Sequence, residues 1–308
     1  MQPNLNRSRG CLVGLAIGDA VGTTLEFRKR GTFEPITDMT GGGHFCLKKG
    51  YWTDDTSMAL CLGYSLLECN GFEPHDQMER YCNWLDNGYL SSIGTCFDVG
   101  VTVSSALRRF QKTGEPFSGP KSSWTSGNGS IMRLAPIPVY YQFQPHAALH
   151  YGGESSRTTH GSPLCIDACK YLSGILLELL NGASKQAFAE VDYQPATDEF
   201  LQIKLGHFLE KPYDSINGTG YVVESLEAAL WCFLQTESFD ECILAAANLG
   251  DDADTTAAIA GQLAGAYYGY QAIRKDWLEA LHMEADITAL AEALLKQAPS
   301  NKKKVASA

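Results

Sequence analysis

Two stretches of the chain crowd carboxylates against hydroxyl groups where helices should begin. In WTDDTSMAL, Asp54 and Asp55 stand between Thr53 and Thr56, ahead of an apolar run. In NLGDDADTTAAIAG, Asp251, Asp252 and Asp254 precede Thr255, Thr256 and a run of small residues. One aspartate at a helix entrance has an ordinary use, since its carboxylate accepts from free backbone N–H groups and meets the positive end of the helix dipole. Neighbouring aspartates repel each other and point in different directions, so capping accounts for one in each stretch. No Lys or Arg lies within either stretch. Carboxylate and hydroxyl oxygens without a cationic partner suit a hard divalent cation, Mg2+ or Mn2+, which takes oxygen ligands in octahedral geometry. Two ions bridged by a shared aspartate, about 3.5–4 Å apart, would use both clusters.

Three further segments are rich in glycine and small hydroxyl residues: SGNGSIMR (126–133), SSRTTHGSP (155–163) and NGTGYVVES (217–225). Glycine lets a ligand approach the backbone, and free N–H groups at helix starts attract phosphate. Taken singly, each reads equally well as a turn. His160 alone reads as a hydrogen-bonded structural histidine and Arg133 as one half of an ion pair. The run Gly41, Gly42, Gly43 reads as a flexible loop.

The elements that must position these residues are helices. Apolar residues recur at three- and four-residue steps over 11–23, 57–70, 76–87, 100–113, 163–181, 198–210, 221–235, 238–249, 255–273 and 275–283. The best strand signal is PIPVYYQF, residues 136–143, and its prolines count against a central strand. No break rich in Pro, Gly or Ser divides the chain. The expectation is one all-α domain, a compact orthogonal multi-helix bundle over residues 10–298, between an N-terminal tail at 1–9 and a flexible C-terminal tail at 299–308. Gly14, Gly18 and Gly22 follow one another at four-residue spacing, as do Ala257, Gly261 and Gly265. Glycine costs up to about 1 kcal/mol per helix position relative to alanine, so its repeated use points to close helix–helix approach at the centre of the fold.

Composition narrows the classes. A chain of 308 residues with 44% hydrophobic and 19% charged residues is globular, and its net charge of −11 argues against non-specific binding to nucleic acid. The ten cysteines fall mostly in apolar helical patterns, such as Cys61, Cys69, Cys82, Cys165, Cys169 and Cys232, with no CxxC pair. They read as reduced, buried thiols of a cytoplasmic protein. The apolar run that begins at Cys11 is short, is closed by Asp19 and lacks a cleavage site, so export is not expected. No stretch reaches the length of a membrane span, and no membrane partner is expected.

The segments GLAIGDAVGTTLEF, WTDDTSMAL, FDVGVTV, SGNGSIMRLAPI, THGSP, GYVVESLEAALWCF and NLGDDADTTAAIAGQLAGA follow one another in the order seen in the ADP-ribosylglycohydrolase family. The chain most resembles its bacterial branch, typified by dinitrogenase-reductase-activating glycohydrolase, over residues 10–269. The resemblance implies an all-α fold with two Mg2+ or Mn2+ ions that cleaves the glycosidic bond between ADP-ribose and a modified side chain or small molecule. It implies Thr53, Asp54, Asp55, Asp252, Asp254 and Thr255 as metal ligands, with Asp251 beside them. Asp98 and Glu26, with Asp55 and Asp254, would carry the catalysis. Asn128, Gly129, Ser130, Met132, His160, Gly220 and Tyr221 would contact the ADP-ribose. Residues 190–218 and the last forty match nothing in that pattern.

Such a reaction passes through an oxocarbenium-like state at the anomeric carbon. Two cations would orient the ribose hydroxyls and acidify the attacking water, and Asp98 or Glu26 would handle protons. ADP-ribosylated arginine is the most expected target. Two other classes remain open: a non-catalytic ADP-ribose- or partner-binding protein, and a metal hydrolase acting on a nucleotide phosphate.

Overall fold

The computed structural model describes residues 5–300, and every extended element among them is a helix. In chain order these are α1 (Leu5–Gly22), α2 (Asp54–Glu68), α3 (Pro74–Asn87), α4 (Val101–Thr113), α5 (Pro136–Tyr140), α6 (Pro145–Thr159) and α7 (Pro163–Leu180). They continue with α8 (Ala187–Glu190), α9 (Asp198–Lys204), α10 (Val222–Gln235), α11 (Phe239–Ala247), α12 (Ala253–Tyr268), α13 (Lys275–Ala280) and α14 (Glu284–Gln297). The all-α expectation holds. Two isolated bridges, Gly42 with Leu47 and Gly127 with Tyr221, supply the only sheet-like pairing among the described residues.

Helices α1 and α12 form the axis, and their small residues explain it. The pair runs antiparallel, with Gly14 against Gly261, Gly18 against Ala257 and Gly22 against Ala253. A Cβ on Gly18 would sit 2.0 Å from the Ala257 carbonyl oxygen, and one on Gly14 would sit 2.3 Å from that of Gly261. Only glycine permits that approach. The register has a functional consequence, because it sets the C-terminal end of α1 beside the N-terminal end of α12, where the second acidic cluster begins.

The main core lies among α1, α7, α10, α11 and α12 and includes Leu15, Ile17, Leu172, Leu226, Ile243 and Leu263. A smaller core of Met58, Met78, Tyr81, Trp84, Val103, Leu107 and Met132 packs α2, α3 and α4 together. Each buried large apolar side chain contributes about 1.5–3 kcal/mol, so these two clusters hold the site's frame.

Several boundaries depart from the sequence reading. Helix α1 starts at Leu5, so residues 5–9 are not a tail; Arg7 donates to the carbonyls of Leu179, 2.9 Å, and Ala266, 3.1 Å, and anchors the first turn. The strand candidate 136–143 is the buried helix α5 followed by a turn. Pro136 stands at its first position, where a missing N–H costs nothing. Helix α6 leaves little periodic signal, because PHAALHYGGESSRTT carries few apolar residues, and its C-terminal end takes in residues 155–159 of a segment that reads as loop. Helix α14 lies beyond the last periodic run of the sequence. The single helix expected over 198–210 is α9 plus a separate 3-10 turn at His207–Glu210. Expectations for residues 1–4 and 301–308 lie outside the described residues.

None of the ten cysteines is paired. Cys61, Cys165, Cys169 and Cys232 are buried as expected, whereas Cys69 is exposed and Cys82 half-buried. Among the described residues no helix is long and apolar enough to cross a membrane.

Candidate active site

Asp19 joins the axis to the first acidic cluster. It is fully buried on α1 and reaches the entrance of α2. Its Oδ1 accepts from the backbone N–H of Thr53, 2.8 Å, and the Thr53 hydroxyl, 2.9 Å. Its Oδ2 accepts from the N–H of Thr56, 3.0 Å, and the Thr56 hydroxyl, 2.7 Å. Asp19 is thus the cap of α2, supplied from another helix. Thr53, at the N-cap position, makes no capping bond of its own. The capping use that the sequence allowed for one of Asp54 and Asp55 is therefore already taken, and both carboxylates are free for another purpose.

The second cluster meets the first here. The Thr53 hydroxyl lies 3.2 Å from Asp254 Oδ2 and 3.5 Å from Asp55 Oδ2, and the Thr255 hydroxyl lies 3.4 Å from the same Asp55 oxygen. Glu26 and Asp98 close the group: each of them and Asp254 places a carboxylate oxygen within 4.8 Å of the others. Asp98 takes a left-handed backbone, φ +58°, just before α4.

Among the described residues none of Asp19, Glu26, Asp54, Asp55, Asp98, Asp252 and Asp254 has a salt-bridge partner. Burial raises them all, and most also raise one another. Desolvation, then Asp98 and Asp252, lifts the Glu26 carboxyl to about 9. Desolvation, then Asp19 and Asp252, lifts Asp98 to about 7. Asp54, Asp55 and Asp254 are pushed well above the carboxylate range by burial first and neighbouring carboxylates second. Asp55 Oδ1 and Glu26 Oε2 are buried without a hydrogen-bond partner. Buried carboxylates with orphaned oxygens and no counter-charge form a donor set that fits divalent cations, because such ions reverse both the repulsion and the desolvation penalty.

A cleft of about 730 Å³ opens over this group. Two glycine-rich segments build another part of its wall, pairing as Asn128 N–H to Gly220 O, 3.1 Å, and Val222 N–H to Ser126 O, 3.0 Å. Asn128 Nδ2 donates to Asp252, 2.6 Å, and to the Ser225 hydroxyl, 2.8 Å, so this wall is tied to the acidic one. Gln262 of α12 holds the carbonyls of Ile131, 3.0 Å, and Met132, 2.8 Å. His160 follows the end of α6 and is buried against Gly129, where an added Cβ would come within 2.7 Å of its ring. Burial, then the Arg133 guanidinium, pushes the imidazole down to about 3.

Of the residues singled out in the sequence, Glu26, Asp54, Asp98, Asn128, Gly129, Met132, His160, Gly220, Asp252, Asp254 and Thr255 line this one cleft, together with Asp251. Thr53 and Asp55 lie fully buried within the acidic group. Ser130 is buried, with its hydroxyl unpartnered, outside the lining. Tyr221 lines a neighbouring pocket with Trp124, Ser126 and Glu199, which shares Gly127 and Gly220 with the main cleft. Among the described residues Arg133 makes no ion pair; it is fully buried, bonded to neutral groups. Sequence reading missed Asp19, Thr219 and Phe27. Asp19 did leave a signal, as a carboxylate inside the apolar run CLVGLAIGDAVG.

Three comparisons bear on these features. The model of the ADP-ribosylglycohydrolase family matches residues 1–304. The chain is 42% identical over 296 residues to ADP-ribosylarginine hydrolase Tri1 of Serratia proteamaculans (strain 568), covering 96% of this chain and 81% of that protein. It is 34% identical over 296 residues to ADP-ribosyl-[dinitrogen reductase] glycohydrolase of Rhodospirillum rubrum, covering 94% of this chain and 96% of the relative. A solved structure titled ADP-ribosylglycohydrolase-related protein complex superposes with a TM-score of 0.83 at 40% identity, covering 97% of this chain and 100% of that one.

Proposed function

The chain belongs to the ADP-ribosylglycohydrolase family and is a hydrolase of ADP-ribosyl linkages, and from that premise we propose that it is metal-dependent and acts on ADP-ribosylated arginine. The observation that carries the metal reading is the meeting of two acidic helix entrances, 200 residues apart in sequence at Asp55 and Thr255, with no basic residue among the described ones paired to them. Thr53, Asp54, Asp55, Asp252, Asp254 and Thr255 would hold two Mg2+ or Mn2+ ions. When bound, the ions would supply charge to orient ribose hydroxyls and to acidify a water. The arginine reading rests on the names of the Serratia relative and of its Pseudomonas putida (strain GB-1) counterpart, 40% identical over 295 residues.

The chain's own residues account for the other requirements. The paired segments around Asn128 and Gly220 let the ADP-ribose approach the backbone at Gly127, Gly129 and Gly220, which line the cleft. Asp98 and Glu26 place carboxylate oxygens beside Asp254 at the edge of the acidic group, where a carboxyl group can pass a proton to a leaving guanidino nitrogen.

The test is product release from ADP-ribosylarginine. Wild-type protein should release free ADP-ribose, EDTA should stop it, and Mn2+ or Mg2+ should restore it. Asp254→Asn should fold and be inactive. A non-catalytic binder would bind the substrate and release nothing, and a phosphate hydrolase would release AMP. Full activity in Asp254→Asn or in EDTA refutes the metal reading.

A further inference from the structure

We propose that Arg133 and Thr159 fix the tautomer of His160, so that the imidazole offers Nε2–H to the cleft as a neutral hydrogen-bond donor. Arg133 is fully buried, and among the described residues its polar contacts are to neutral groups. It donates to the Gly129 carbonyl, 2.7 Å, and to the Thr159 hydroxyl, 2.6 Å, with a weaker contact to Met58 sulfur at 3.8 Å. Its guanidinium also lies over the Tyr81 ring, 4.7 Å from the centroid.

A guanidinium only donates, so Thr159 Oγ1 must accept from it, and the hydroxyl hydrogen must go elsewhere. The group within reach is His160 Nδ1, at 2.9 Å. Thr159 is fully buried, so a reversed bond from Nδ1–H would strand the hydroxyl hydrogen without an acceptor. Nδ1 is therefore the acceptor, and the ring's single proton sits on Nε2. Protonation of both nitrogens would break the same chain, in keeping with a ring held neutral by burial and by Arg133. Among the described residues no group bonds Nε2, which faces the edge of Gly127 and Gly129 beside the cleft. Arg133 positions both sides of this contact, since it holds the Gly129 carbonyl with one nitrogen and the Thr159 hydroxyl with the other. An acceptor oxygen of the ADP-ribose is the partner for Nε2–H, and that part rests on the hydrolase reading above; the tautomer does not.

Nitrogen-15 correlation spectra of the histidine rings in the ligand-free protein decide the tautomer. Near neutral pH His160 should show the Nε2–H form. Thr159→Val keeps the shape, removes the relay, and should move His160 toward the Nδ1–H form or a mixture; Thr159→Ser should keep the wild-type signature. A wild-type Nδ1–H ring, or a Thr159→Val ring unchanged from wild type, overturns the proposal. Calorimetry with free ADP-ribose tests the donor's role: Thr159→Val should bind about tenfold more weakly and Thr159→Ser within about threefold of wild type. Equal binding by Thr159→Val, with the tautomer shifted, removes Nε2–H from ligand recognition. A wild-type protein with the expected tautomer and no affinity for ADP-ribose would instead count against the proposed function.

Discussion

The acidic wall of the cleft and the wall around His160 are built from opposite materials. One gathers Glu26, Asp54, Asp55, Asp98, Asp252 and Asp254 with no basic partner among the described residues. The other buries the guanidinium of Arg133 with no acidic partner and spends its hydrogen bonds on a carbonyl and a hydroxyl. Asn128 and Gly129, neighbours in sequence, belong one to each wall: Asn128 donates to Asp252, and Gly129 accepts from Arg133. A folded chain does not leave buried charge uncompensated without cause. Pairing the two charges with each other would have been the economical arrangement. Keeping them apart leaves a polarised cleft, with one wall suited to cations and the other to an anionic or acceptor-rich ligand.

The comparison breaks most sharply at Asp55. Asp55→Asn keeps the volume and removes one charge from the centre of the acidic group, where Asp55 meets the hydroxyls of both Thr53 and Thr255. Turnover of ADP-ribosylarginine should fall by at least about 10⁴-fold, with free ADP-ribose still bound by the glycine-rich wall. Activity close to wild type would mean that the acidic wall is only structural. Asp98→Asn and Glu26→Gln come next. Each should lower kcat by about 10² to 10⁴-fold, the range for loss of a proton-transfer group, with little change in KM. Measured side by side, the larger loss identifies which of the two serves the leaving group.

A smaller effect is expected at Asp19, which serves the acidic wall without lining the cleft. Asp19→Asn would turn an NH2 group toward donors already facing Oδ1 or Oδ2. Thermal or urea unfolding should report a loss of about 1–3 kcal/mol. Because the variant also loosens the entrance that carries Thr53, Asp54 and Asp55, Mn2+ affinity measured by calorimetry should drop by about 10–100-fold. Unchanged stability and unchanged affinity together would show that α2 does not depend on its borrowed cap.

How much of this was legible in the chain follows from which interactions are local. The acidic clusters, the small-residue helix faces and the all-α class are written in neighbouring residues, and the structure assembles them as read. Asp19 is hard to read in sequence because its two partners, Thr53 and Thr56, lie at the entrance of another element, 34 and 37 positions away. Arg133 reads as an ion-pair partner because nothing local in the sequence shows that Tyr81, Thr159 and the Gly129 carbonyl converge on it. The strand signal at 136–143, against which its prolines already counted, comes to nothing because β-branched and aromatic residues favour strands only where a partner strand exists, and none lies beside this segment among the described residues. Helix α6 hid for the reverse reason, since its contact with α7 uses Gly152 against Ser173 and not an apolar stripe.

The finest test of the comparison is the pH dependence of stability in the metal-free protein, where the two walls carry opposite signs. Glu26 rises from an ordinary 4.5 in the unfolded chain to about 9 in the fold, and Asp98 from 3.8 to about 7, in both cases through burial first. In that window the folded protein binds more protons than the unfolded one, so stability falls as pH rises, from about 4 up to about 9. His160 runs the other way. Its ring drops from 6.5 to about 3, so between those values the unfolded chain binds the extra proton, and stability from this group falls as pH is lowered. Above pH of about 7 His160 no longer contributes, and the melting temperature of EDTA-treated protein should decline to about pH 9, through the acidic wall first and then also through the buried thiols, whose titration burial pushes up. Glu26→Gln should flatten that alkaline decline, whereas His160→Gln should leave it untouched and act only on the acid side. Saturating Mn2+ should remove the carboxylate part of the decline, since bound cations replace the protons that the carboxylates otherwise need. A metal-free protein whose stability rises between about pH 7 and 9 would show that the acidic wall is already neutralised from within, and the contrast between the two walls would be lost.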